Sequence, residues 1–246
     1  LLERWYAERK ELQAKKKDAT NAKDIAFWDK RQLVKKINLN SLYGAILNPG
    51  CRFFDKRIGQ STTLTGRSIA KHMDAHLNEC ITGEYDHVGK SVIYGDTDSC
   101  YFSAWPVLEA EVREGRMEWS KETCIALYDS LAEQVNASFP AFMEQAFHCP
   151  RDMGALIKCG RETVADRGLF ITKKRYAVNA IDIEGKRLDV EGKTGKTKAT
   201  GLDLKRSDTP KVIQEFLLES LNKTLAGTDK DTIIERIKEF KYEFKE

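Results

Sequence analysis

Leu1, Leu2, Trp5 and Leu12 recur on one side of a charged stretch, so residues 1–19 read as an amphipathic helix. It ends in the basic run Lys15, Lys16 and Lys17. Residues 18–24 read as a turn. A second helix covers about 25–47, without Gly or Pro before Gly44. Two helices across so short a connection imply an antiparallel hairpin. Asn48-Pro49-Gly50 breaks the pattern. Over 61–82, Ile69, Met73, Leu77 and Cys80/Ile81 return at helical spacing. Residues 91–94 and 99–104 are short and β-rich, with Gly95-Asp96-Thr97-Asp98 between them, which predicts a hairpin. Ser120 opens a long helix expected to run towards Phe139, where Pro140 should interrupt it. Four β-like segments follow in 153–190: ALIKC, ETVAD, LFIT and RYAVNAIDI. Residues 184–201 are rich in Gly and Lys and read as a loop or mobile hairpin. Thr209-Pro210 looks like a helix N-cap with Pro at the first helical position. Ile213, Phe216/Leu217, Leu221 and Leu225 then share a face, and a last helix starts near Ile233. The architecture expected is a helical hairpin, a central α+β domain and a second helical pair.

Composition narrows the class. The 246 residues are 41% hydrophobic and 32% charged, which suits a folded chain with a core. No apolar run approaches the ~18 residues of a membrane span, and nothing at the start resembles a signal peptide. The six cysteines are scattered, without a CxxC pair, which excludes a small disulfide framework and the common structural zinc layouts. They read as buried or inert thiols in a reducing compartment. The chain starts with Leu and ends inside an expected helix, so it is expected to be a piece of something larger. Net charge runs +5 over 1–36, −6 over 37–149, +6 over 150–211 and −2 over 212–246. Two basic segments around an acidic middle suit a polyanion held near a carboxylate metal site. Solvated faces of mixed charge would give the same numbers.

Three motifs carry candidate chemistry. Lys36-Ile37-Asn38-Leu39-Asn40-Ser41-Leu42-Tyr43-Gly44 puts Lys36, Asn40 and Tyr43 within an arc of about 60° on a helix. A cation, an amide and a ring on one face, beside the bare Gly44, suit a nucleoside triphosphate; a polar face with a packed Tyr fits equally well. Tyr94-Gly95-Asp96-Thr97-Asp98-Ser99 sets two carboxylates at a hairpin tip, hard oxygen ligands suited to Mg²⁺. An EF-hand reading fails, since Tyr101 and Val107 stand where Gly and Glu are required. An ordinary Asp-rich turn remains open. Lys173-Lys174-Arg175-Tyr176 sets three cations beside a ring at the start of a strand, with Lys174 and Tyr176 expected on one face, as a phosphate backbone would need. A solvated edge strand is the plain alternative.

In this order and spacing, the motifs resemble those of the family B (polymerase alpha-like) DNA polymerases, nearest to the replicative enzymes of T-even-type bacteriophages. Lys36 to Gly44 fits the family's KxxxNSxYG, Tyr94 to Ser99 is identical to its YGDTDS, and Lys173 to Tyr176 matches its KKxY element. The resemblance implies an α+β fold: a helical fingers hairpin over 1–47, an antiparallel-sheet palm flanked by helices over 48–205, and the start of a helical thumb over 206–246. It implies template-directed addition of dNTPs to a primer 3′ end with two Mg²⁺ ions. Lys36 and Arg9 would meet the triphosphate, with Asn40 bordering it and Tyr43 and Gly44 lining the base-pair pocket. Asp98 would bind the metals and Asp96 would tune them. Lys173, Lys174, Arg175 and Tyr176 would hold the primer terminus. Glu162 and Asp182 match acidic positions near the metals. Gln13 stands where the family usually has a second fingers Lys, so Lys10 or Lys16 would substitute.

The same resemblance requires a second metal-binding Asp in a motif A, which does not occur here. The expectation is therefore a C-proximal polymerase part, inactive alone, whose partners are primer–template DNA, dNTPs and an N-terminal part with motif A and exonuclease. A sliding clamp would bind through a tail beyond residue 246. No membrane is expected, and the site of action is the cytoplasm, that of the host if the source is a virus. The alternative is a catalytically incomplete DNA-binding or assembly fragment.

Overall fold

The computed structural model describes residues 1–190 and 192–244, apart from the Lys205 side chain. Position 191 of the Gly- and Lys-rich segment, and positions 245 and 246 of the expected last helix, lie outside the described residues. The chain divides into two units, Leu1–Ser68 and Ile69–Glu246.

In the first unit, α1 (Leu2–Asp18) and α2 (Ala22–Leu47) form the expected hairpin. Asn21 caps α2 by accepting from the Asp24 N–H at 2.8 Å, which starts that helix three residues before expectation. Polar cross-links set the antiparallel register: Glu8 to Lys35, Arg9 to Gln32 at 3.3 Å, and Lys16 to Asp29 at 2.6 Å. Neither helix contains a buried residue. After the Asn48–Gly50 turn, Asp55 accepts from the Arg57 N–H at 2.9 Å and opens α3 (Lys56–Thr82), five residues earlier than expected. The weak helix former Gly59 hid this first turn.

The second unit has two small antiparallel sheets. The first is the hairpin of β1 (Val92–Asp96) and β2 (Ser99–Phe102), followed by α4 (Trp105–Arg113), which the sequence reading missed. One core lies beneath it. Leu77 of α3 and Leu131, Val135 and Phe139 of α5 (Lys121–Phe147) are buried, with Ile69, Met73, Cys80, Ile81, Cys100 and Phe102 packed against them. Ser120 caps α5 as expected, accepting from the Thr123 N–H at 3.1 Å. Pro140 does not interrupt it. The lost backbone hydrogen bond is offset by burial of Phe139 and Met143 on either side and by close packing of Pro140 on Gly154 of α6 (Arg151–Gly154). The ALIKC segment is not a strand. The Asn136 side chain takes the strand-partner role, receiving the Cys159 N–H and donating to its carbonyl, both at 2.8 Å.

The second sheet has β4 (Arg175–Ile183) at its centre. β3 (Thr163–Thr172) pairs on one side and takes up both ETVAD and LFIT. On the other side lie β5 (Lys186–Arg187) and β6 (Lys196–Thr200) in line. Much of the expected loop is therefore sheet edge, where Lys side chains belong. Ala177, Leu202 and Leu204 form the second core with Leu221 and Leu225 of α7 (Lys211–Ala226), the face read from periodicity. Pro210, rather than Thr209, is the α7 cap residue, and Gln214 donates back to the Thr209 and Arg206 carbonyls. α8 (Lys230–Glu243) follows the left-handed Gly227 and stacks Phe240 on Phe216, centroids 3.8 Å apart.

Among the described residues no helix is long and apolar enough to cross a membrane. The six cysteines are free and partly buried, and burial pushes the Cys80, Cys124 and Cys159 thiols up.

Candidate active site

In the first unit, one row of α2 carries Gln32, Lys36, Asn40 and Tyr43, spaced by whole turns. Lys36 and Asn40 are exposed and Tyr43 is half-buried. A Cβ built on Gly44 meets nothing within 4 Å, so the bare backbone beside the ring is not required by packing in this chain. Arg9 hydrogen-bonds Gln32, one turn before Lys36, so the hairpin sets the guanidinium beside the same row. Gln13 does not restore the missing cation. Lys16 is paired with Asp29, and Lys10 lies over the Tyr6 ring at 5.5 Å.

In the second unit, two hairpin tips meet. The β1–β2 turn is only Thr97-Asp98, with Asp96 and Ser99 as the last paired residues. The Asp98 N–H donates to the Asp96 carbonyl at 2.6 Å, closing a three-residue turn around Thr97 at φ = 55°. A β-branched residue is strained there. Asp98 projects exposed, without a hydrogen-bond or ion-pair partner among the described residues. Asp96 is partly covered and accepts from the Thr97 hydroxyl at 3.2 Å and from the Lys174 ammonium.

The other tip corrects the expected placement of Lys173 and Lys174. Thr172 pairs with Arg175, so the two lysines form the β3–β4 turn and are not strand residues. Lys174 adopts φ = 62°. Its N–H donates to the Tyr94 hydroxyl at 2.8 Å. Gly201 makes room for its carbonyl, because a Cβ there would stand 1.9 Å from that oxygen. Lys174 and Tyr176 thus reach the β1–β2 hairpin separately, Lys174 at Asp96 and Tyr176 through a 3.0 Å hydroxyl contact with Tyr101. Tyr94, Tyr101, Phe170 and Tyr176 form one aromatic cluster, with centroids 5.0–6.0 Å apart. Arg175 turns to Asp203 at 3.3 Å, and Lys173 is exposed.

The electrostatics follow. Lys174 holds the Asp96 carboxyl below its ordinary range, aided by Thr97 and Lys173; Asp96 in turn raises the Lys174 ammonium, with Asp98 adding to the field. Burial, the Tyr176 hydroxyl and the charge of Glu162 push the Tyr101 phenol up. The Glu162 carboxylate itself is on Lys198 at 2.6 Å. Asp182 is not brought in. It is 2% exposed, bound to Arg161 and to the Gly185 N–H at 3.0 Å, and no contact among the described residues joins it to Asp96 or Asp98.

Sequence reasoning missed Tyr94, Tyr101, Gly201 and Asp74. The turn expected over 95–98 is only Thr97-Asp98, and that shorter turn makes Tyr94 and Tyr101 register partners on one face. Asp74 of α3 was not legible in the sequence. It lies behind Gly95, where a Cβ would be 3.4 Å from its Oδ2. Burial raises its carboxyl, against a lowering influence of the Cys100 thiol, and its Oδ1 is buried without a partner among the described residues.

Asp96 and Asp98 are the hard oxygen donors that Mg²⁺ prefers. Among the described residues no cluster of three His, Cys, Asp or Glu side chains is placed to hold a metal; the two carboxylates at the β1–β2 tip fit Mg²⁺ by donor type.

A family model for DNA polymerase family B matches residues 1–246. The chain is 29% identical over 203 residues to the DNA-directed DNA polymerase of Escherichia phage RB69, covering 79% of this chain and 22% of that protein. It is 29% identical over 230 residues to that of Enterobacteria phage T4, covering 87% and 24%. To the DNA polymerase of Pyrococcus glycovorans it is 26% identical over 239 residues, covering 97% and 25%. The chain thus spans about a quarter of the length of these relatives.

Proposed function

The chain belongs to DNA polymerase family B, and on that premise we propose that it is the fingers–palm part of an enzyme that adds deoxynucleotides to a primer 3′ end. The observation that carries this is the meeting of the two tips: a carboxylate pair and a cationic, aromatic turn held together at a single place. Residues 1–47 would be the fingers, 48–205 the palm and 206–246 the start of the thumb.

Lys36 and Arg9 would hold the triphosphate charge, with Asn40 bordering it. Tyr43 and the open backbone at Gly44 would receive the nascent base pair. Lys173, Lys174 and Arg175 would bind phosphates of the primer strand, with Tyr176 beneath its terminus. Mg²⁺, when bound at Asp98 and Asp96, supplies charge neutralisation at the primer hydroxyl and at the triphosphate. A further carboxylate would come from a polymerase part carrying motif A and exonuclease, and a sliding clamp would be a further partner. The work would take place where DNA is copied, in the cytoplasm of the host if the source is viral.

The test is Mg²⁺-dependent primer extension by the chain alone and with a motif A-bearing N-terminal part, with Asp98→Ala as control. Extension only with the added part, lost in the control, is the expected result. Extension surviving Asp98→Ala would refute the assignment. A DNA-binding fragment without catalysis is the second reading, favoured by the basic turn at Lys173–Arg175; it would hold primer–template equally well after Asp98→Ala and never extend it.

A further inference from the structure

Lys174 occupies an unusual position. Its backbone is fixed, with the N–H on Tyr94 and the carbonyl against Gly201. Its side chain is not: it is 63% exposed and its one partner among the described residues is Asp96, itself 19% exposed. The ammonium therefore neutralises one of the two carboxylates that face the metal position, from a residue whose neighbours suit primer phosphates. An ion pair this exposed is weak and readily exchanged. A DNA phosphate competes for the ammonium, and a divalent cation competes for the carboxylate.

Resting on the polymerase reading, we propose that Lys174 is an exchangeable counter-ion. It caps Asp96 in the absence of nucleic acid, swings about its fixed backbone onto the primer strand when DNA arrives, and so leaves Asp96 free for a divalent cation. Metal binding and primer binding are then coupled through one side chain. By linkage each tightens the other by the same factor. The exposure of the pair sets that factor at about two- to five-fold. The neighbours sort accordingly. Arg175 is engaged by Asp203, and among the described residues Lys173 makes no ion pair and acts on Asp96 only through its field, so Lys174 is the side chain in direct contact with the carboxylate.

The experiment uses the whole chain and two probes. Mn²⁺ binding without DNA is read by electron paramagnetic resonance. Affinity for a primer–template with a recessed 3′ end is read by fluorescence anisotropy, with and without Mg²⁺ at fixed ionic strength. Lys174→Met is expected to bind Mn²⁺ about two- to five-fold more tightly than the parent and to lose the Mg²⁺-dependent gain in DNA affinity. Lys173→Met should weaken DNA binding while keeping that gain. Unchanged Mn²⁺ affinity in a Lys174→Met chain with native circular dichroism would overturn the proposal. So would a Mg²⁺ gain that survives the substitution. Should the parent alone fail to bind primer–template, the DNA arm is read with the motif A-bearing part added, and no binding there brings down the polymerase reading, while the DNA-free Mn²⁺ comparison still decides whether Lys174 caps Asp96. Lys174→Gln, which keeps a polar side chain, guards against a folding artefact.

Discussion

Replacing Asp182 separates two roles that its position in the sequence leaves open, metal-site tuning and structural pairing. Asp182→Ala removes the deepest partner of Arg161, whose side chain is only 9% exposed. Breaking one side of a buried ion pair costs about 3–5 kcal/mol. Arg161 keeps Asp129 at 2.7 Å, but that carboxylate is half exposed, so the lower end of the range applies. The Gly185 N–H also loses its acceptor, which adds about 1 kcal/mol. The expected loss is ~4 kcal/mol, or a fall in Tm of about 10 °C for a chain of this size. Asp182→Asn keeps an acceptor for Gly185 and should lose about half as much. Urea unfolding followed by circular dichroism measures the loss, and Mn²⁺ titration of the same variants measures the site. Stability within about 0.5 kcal/mol of the parent, or Mn²⁺ binding weakened as far as in Asp98→Ala, would refute the structural reading and return Asp182 to the metal site.

Gly44→Ala should stabilise α2 slightly, by up to about 1 kcal/mol, because nothing opposes the added methyl. It should at the same time weaken binding of a fluorescent dNTP; thermal melts and anisotropy would show whether the two effects part. Gly201→Ala should do the reverse of a neutral change: φ = 64° and the Lys174 carbonyl both oppose it, costing at least about 1 kcal/mol and loosening primer–template binding. His72 lies between the Tyr85 hydroxyl and Ser138 at 2.7 and 2.8 Å, stacked on Phe142, and burial together with His76 holds its pKa down to about 4. Its folded value is below the unfolded one of about 6.5, so its contribution is complete above pH 6.5 and is lost as pH falls towards 4. That contribution is about 3 kcal/mol, and the pH dependence of urea midpoints should flatten over this window in His72→Phe.

The long helices, their apolar faces and the three motifs were legible in the sequence because they are local, whereas the short α4 was not. Periodicity placed Ile69, Met73, Leu77 and Ile81 on the core, and Leu217, Leu221 and Leu225 on the sheet. Spacing alone set Lys36, Asn40 and Tyr43 on one row. What failed was whatever depends on partners distant in sequence. Pro140 stays helical because Gly154 and a buried surround receive it. The end of the Gly- and Lys-rich segment, Lys196–Thr200, becomes β6 because β4 offers an edge. Lys174 leaves the strand because the register closes at Thr172 and Arg175, and Gly201 and Tyr94 then hold a conformation that its own backbone resists. The candidate chemistry could be named from residue types, since a carboxylate or an ammonium carries its properties wherever it stands. Which carboxylate is capped, which is free and which is spent on Arg161 was decided by tertiary structure, because a charge is set by the groups around it and the chain brings those from 21 to 78 residues away.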